Sequence, residues 1–96
     1  MAKGYWIAFY RKIANGDALA AYSNLAGPVI EAGGGKFLAR GVPAEAYEAG
    51  LKERTVVIEF ESVEKATSTF ESANYQAAAK LLVGAAERDI RIVEGS

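Results

Sequence analysis

The chain has 96 residues, 51% hydrophobic and 24% charged, with a formal net charge of −1; it is expected to form one domain over residues 1–96, near the size at which folding hides only roughly 60–65% of the chain's surface. A pI of about 5.4, with Lys and Arg dispersed among acids, argues against nucleic acid as a partner. The sequence contains no cysteine and no histidine, so disulfides, thiolate nucleophiles, Ser-His-Asp chemistry and the common zinc, Fe–S and proximal-His haem sites are excluded, and any catalysis falls to Asp/Glu, Lys/Arg, Tyr or a borrowed cofactor.

The opening MAKGYWIAFY has an apolar run too short to span a membrane and no small-residue cleavage site, so a cytoplasmic protein with no membrane partner is expected. GYWIAFYRKI (4–13) is rich in aromatic and β-branched residues and stops at the turn signal Asn15-Gly16, which predicts a first strand. GDALAAYSNLAGPVIEAGGG follows with Leu19, Tyr22, Ala26, Val29 and Ile30 at helical spacing, Asn15 or Asp17 as N-cap, and Gly33 or Gly34 as C-cap. Pro28 predicts a kink or break near Gly27. KFLAR (36–40) is a short second strand and TVVIEF (55–60) a third, joined by the long connection GVPAEAYEAGLKE. Ser62 caps a helix through SVEKATSTFE; Ser72-Ala73-Asn74 interrupts it and recaps a second piece, YQAAAKLLVGAA; DIRIVEG (89–95) alternates as a fourth strand. The order β-α-β-β-α-β predicts an α+β, ferredoxin-like fold: a four-stranded antiparallel sheet with its helices on one face.

In RTVVIEF, Val56, Ile58 and Phe60 share the core side, so Thr55, Val57 and Glu59 look the other way. The expected open face carries Tyr5, Ile7, Phe9, Leu38, Arg40, Val57, Glu59 and Val93. That is a larger apolar patch than soluble monomers usually expose, and an isologous second copy packed sheet to sheet is its expected cover. A homodimer of this kind would bring two Arg40 and two Glu59 into one semi-enclosed space.

MAKGYWIA, GGGKFLARG, RTVVIEFES and YQAAAKLL…IVEG resemble the domain of unknown function 1330 family, small bacterial members of the dimeric α+β barrel group, over nearly the whole chain. The resemblance implies a ferredoxin-like protomer in a dimer with a cavity between sheets, and no established activity. The wider group includes cofactor-independent monooxygenases, haem-degrading enzymes, lactone isomerases and ligand-sensing domains; the missing histidine makes the haem-using branch a poor match.

Two functional readings compete. In the first, the inter-sheet cavity binds a small organic ligand or hosts a cofactor-independent reaction: Arg40 and Glu59 form a clamp or acid-base pair, Tyr5, Trp6, Phe9, Tyr10 and Tyr22 supply aromatic walls, and Glu48 and Arg54, in the E-x-G-x-x-x-R segment leading into strand three, stand at a rim. In the second, the chain is a non-catalytic structural or interaction module, and Glu59 pairs with Arg40, Arg11 or Lys36 only to fix the dimer. GGGK (33–36) lacks the strand-loop-helix context of a phosphate loop, the acids lack calcium-loop spacing, and no cofactor or metal is expected.

Overall fold

The computed structural model of the chain describes residues 2–96. Its elements are β1 (Gly4–Ile13), α1 (Gly16–Ala32), β2 (Lys36–Gly41), β3 (Thr55–Phe60), α2 (Val63–Phe70), α3 (Ala73–Ala79), a 3₁₀ turn (Lys80–Leu82) and β4 (Ala86–Glu94). The strands form one antiparallel sheet in the order β2-β3-β1-β4. This is the ferredoxin-like arrangement. No helix among the described residues is long and apolar enough to cross a membrane.

Register fixes the faces. Trp6 lies opposite both Ile58 and Ile92, and Ala8 opposite Val56 and Ile90. These residues turn toward the helices and join Tyr22, Ala26 and Ile30 of α1 with Ala66, Tyr75 and Ala78 of α2 and α3 in one core. Trp6 is its hub: its ring meets Tyr75 edge-on at 4.8 Å and Phe70 at 5.3 Å, and stacks on Phe60 at 6.1 Å. Such pairs contribute about 0.5–1.5 kcal/mol each beyond the area they bury.

The caps follow the local chemistry. Asn15 accepts from the Ala18 N–H, Ser62 from Lys65 and Ser72 from Tyr75. At the far end of α1, Gly34 takes the left-handed φ of 97°, and the Gly34 and Gly35 N–H groups donate to the Glu31 and Ile30 carbonyls. Only glycine adopts that conformation without strain, so Gly33–Gly35 close the helix.

Two expectations need correction. First, α1 runs unbroken through Pro28. The carbonyl that loses its partner belongs to Asn24, which is exposed and can bond to water instead. Second, the helix expected through Ala86 ends at Ala79; the 3₁₀ turn and Gly84, at a φ of 75°, turn the chain so that β4 starts at Ala86 rather than Asp89.

Candidate functional site

The sheet's two faces receive different groups. Away from the helices lie Tyr5, Ile7 and Phe9 of β1, Val57 and Glu59 of β3, and Asp89, Arg91 and Val93 of β4. Their charges are mutually satisfied. The Tyr5 hydroxyl donates to Glu59 Oε2 at 3.1 Å, with Lys3 Nζ 3.7 Å from Oε1. Asp89 receives Arg91 through two hydrogen bonds of 3.2 and 2.9 Å and Arg11 at 3.5 Å. The Arg91 bonds lower the Asp89 pKa, and the hydrogen bond to Glu59 raises that of Tyr5.

Arg40 does not share this face. A bulge between Phe37 and Ala39 shifts β2 by one residue, so Phe37 opposes Ile58 and Arg40 opposes Val56, both on the helix side. The Arg40 guanidinium accordingly lies 4.4 Å from the centre of the Phe37 ring. One bulged residue reverses the facing of everything after it. Arg40 and Glu59 are thus on opposite sides of the sheet and form neither a clamp nor an ion pair.

On the helix side, the sheet and α1 leave a narrow cleft. One end is cationic. Tyr10 lies opposite Arg88 in β4, and its N–H donates to the Arg54 carbonyl at 2.9 Å, so Arg54, just before β3, stands abreast of Tyr10 and Arg88. The Arg54 and Arg88 guanidinium carbons are 6.0 and 5.8 Å from the centre of the Tyr10 ring, within cation–π reach. Arg40 reaches the same cleft from β2. The other end is lined by Trp6, Ile30, Phe37 and Ile58, and among the described residues no Asp or Glu lines the cleft.

The three arginines are held differently. Arg88 Nη1 donates to the Tyr22 and Tyr75 hydroxyl oxygens at 3.1 Å each, and those hydroxyls share a 2.7 Å hydrogen bond. Burial works against the Arg88 charge, but Tyr75 and then Tyr22 outweigh it, and its pKa is raised. Burial, then the Tyr75 phenol, holds Tyr22 well above the ordinary phenol range despite Arg88; burial likewise raises Tyr10, partly offset by Arg88. Arg54 has no such support. Its Nε is buried without a hydrogen-bond partner among the described residues. A cleft of cationic and phenolic donors, with phenol oxygens as its weak acceptors, can hold an anion, but it contains no carboxylate or imidazole to take a proton.

Of the residues singled out in the sequence, Trp6, Tyr10, Tyr22, Arg40 and Arg54 meet in this cleft. Tyr5, Phe9 and Glu59 belong to the opposite face. Glu48 is exposed in the 42–54 connection, at a left-handed φ of 54°, and does not line the cleft. Arg88 and Tyr75 were not among the candidates. A signal for Arg88 existed: it shares the period-two phase of Ile90 and Ile92, which places a charge on the core side of β4.

The sequence matches the family described as domain of unknown function DUF1330 over residues 3–96. The chain belongs to this family. Among solved structures, a protein of unknown function from Rhodopseudomonas palustris superposes with a TM-score of 0.72 at 20% identity, over 99% of this chain and 83% of its own. A dimeric ferredoxin-like protein of unknown function from Thermobifida fusca gives 0.66 at 16%, over 97% and 91%. A Nitrosomonas europaea protein provisionally named an antibiotic biosynthesis monooxygenase gives 0.61 at 16%, over 97% and 89%. At these identities the likeness is one of fold. No curated protein matches the sequence.

Proposed function

We propose that this DUF1330 protein is a homodimer that binds a small organic anion in the cleft between α1 and the sheet of each protomer. The observation that carries the reading is Arg54. A guanidinium whose Nε is shut away from water without an acceptor costs free energy unless a ligand supplies one. Arg40 and Arg88 converge on the same space, and no carboxylate among the described residues lines it. A carboxylate or enolate is complementary to such a cluster, bidentate on a guanidinium and accepting from the Tyr10 hydroxyl. Turnover of the bound molecule is compatible with the cleft only for a substrate that arrives already ionised.

The structural-module reading keeps its force on the other face. There Glu59, Asp89, Arg11 and Arg91 are paired within the protomer. These pairings support a role in presenting that surface to a second copy, and the Thermobifida fusca protein of similar fold is described as dimeric.

Thermal-shift and calorimetric titrations with a panel of aliphatic and aromatic carboxylates test the binding reading. A ligand at ~100 times its dissociation constant stabilises by roughly 2.7 kcal/mol, and Arg54→Ala and Arg88→Ala should each remove the effect. A panel without binders, or binding indifferent to both substitutions, would refute it.

A further inference from the structure

Three polar groups close a small hydrogen-bond ring beside the cleft, and their protons can be counted. The Tyr22 and Tyr75 hydroxyl oxygens are 2.7 Å apart, and each accepts from Arg88 Nη1 at 3.1 Å. A phenol has one proton and two lone pairs. One of the two O–H groups therefore supplies the bond between them, and the other keeps its proton for something outside the ring. Among the described residues the two hydroxyls bond only to each other and to Arg88. Burial decides which proton is left over. Tyr75 is fully buried and does not line the cleft, whereas Tyr22 does. A leftover proton on Tyr75 would be sealed in the core without an acceptor, which carries the cost of an unmade hydrogen bond. On Tyr22 it meets the cleft, where water or a ligand can accept it.

We infer that Tyr75 donates to Tyr22 and that Tyr22 in turn donates to the bound anion, so that Tyr22 is a binding residue of the cleft and Tyr75 its positioning residue. This rests on the anion-binding reading and adds a neutral donor to its arginines. It also narrows the ligand class. With one lone pair taken by the Tyr75 proton and the other by Arg88, the Tyr22 oxygen has none left with which to accept. The ligand atom that meets it is an acceptor, such as a carboxylate, enolate or carbonyl oxygen; an ammonium or amide N–H finds nothing to bond there. Hydrogen bonds in a chain polarise one another, and Arg88 draws charge from both phenol oxygens, which strengthens the outer O–H as a donor. Burial and Tyr75 hold the Tyr22 pKa well above the ordinary phenol range, so this donor keeps its proton at neutral pH.

Acetate and benzoate are titrated calorimetrically against the wild type, Tyr22→Phe, Tyr75→Phe and Arg54→Met. Tyr22→Phe should weaken binding ~10-fold or more, as the loss of a hydrogen bond to a charged group implies. Tyr75→Phe takes no donor from the cleft and should weaken binding by no more than ~3-fold, through lost polarisation of Tyr22. The opposite proton order reverses the pattern. Tyr22→Phe would then cost nothing, and Tyr75→Phe would release the Tyr22 proton into the cleft and tighten binding. Either result overturns the proton order, while abolished binding in Arg54→Met leaves the anion site standing. Hydroxyl-proton NMR of the wild type decides the matter even where a phenylalanine variant does not fold. Whichever acid binds should slow the exchange of the Tyr22 hydroxyl proton with water and leave that of Tyr75, already shut in the core, unchanged. A Tyr22 proton that ignores the bound acid overturns the inference. Binding of neither acid, or binding that survives Arg54→Met, overturns the anion site and the role of Tyr22 with it.

Discussion

Arg54 keeps a charged group where the folded chain gives one of its nitrogens nothing to bond. That arrangement has a stability signature as well as a binding one. If the guanidinium were a structural element, replacing it would destabilise the fold. If it waits for a ligand, Arg54→Met keeps the aliphatic stem and removes an unsatisfied donor, whose cost is about 1–3 kcal/mol. The ligand-free variant should therefore be more stable than the wild type by about 1 kcal/mol in urea unfolding, and should no longer respond to carboxylates. Tyr22 gives a pH signature. Its folded pKa lies well above the ordinary 10.0 because of burial and the Tyr75 hydroxyl. Above that ordinary value the unfolded chain releases the proton and the folded chain retains it, so stability intact below about pH 10 declines as the pH rises further. Tyr22→Phe should flatten this alkaline decline in a pH series of thermal unfolding, and an unchanged slope would count against Tyr22 as its source. Much of this was legible in RTVVIEF itself, since Arg54 has the phase of Val56, Ile58 and Phe60 and so points to the core side. The reading of that residue as a loop rim overlooked the period. Arg40 was not legible, because no residue in KFLAR announces the bulge that reverses it.

At the scale of elements, the strands and caps could be read from the sequence because they are local. Aromatic and β-branched runs, an Asn or Ser before each helix and glycines after the first are short-range physics. The continuity of α1 through Pro28 was not, since it depends on Asn24 lying on the wet side of the helix. How the elements meet was also hidden, and two glycines record it. A Cβ on Gly4 would stand 2.6 Å from the Ser62 carbonyl oxygen and 2.7 Å from Val63 Cα, where β1 passes beneath the start of α2. One on Gly35 would stand 2.6 Å from Ile30 Cγ2 and 2.8 Å from Phe60 Cζ. Backbone cannot swing aside as a side chain can. Gly4→Ala should accordingly cost about 3 kcal/mol, the upper part of the overpacking range, and Gly35→Ala less, about 1–2 kcal/mol. Ser62→Ala, which removes only the cap on Lys65, should cost about 1 kcal/mol. Urea unfolding of the three variants checks the order, and a Gly4→Ala no worse than Ser62→Ala would mean that β1 and α2 are free to separate.

At the scale of the molecule, the face away from the helices is apolar at its centre, where Ile7 lies opposite Val57, and Phe9 and Val93 remain 38% and 49% exposed. The charges around that centre are already paired, so a second copy could cover it without stranding an ion. Removing even ~500 Å² of apolar surface from water is worth on the order of 10 kcal/mol before the cost of association. A two-fold contact repeats each residue, so a charge placed at the middle of the patch is placed there twice. Val57→Glu should convert a wild-type species of about twice 10.2 kDa into a monomer in sedimentation equilibrium. Its core should stay intact, because Val57 turns away from Trp6 and the helices. The same variant separates the two places where a ligand could sit. A site between sheets is lost with the dimer, whereas the arginine cleft belongs to a single protomer and opens on the other side of the sheet. Monomeric Val57→Glu that still binds carboxylates through Arg54 would locate the site within the protomer; loss of binding together with the dimer would return it to the space between sheets. A wild type that sediments as a monomer at micromolar concentration would leave Ile7, Phe9 and Val57 facing water and remove the reason for a partner.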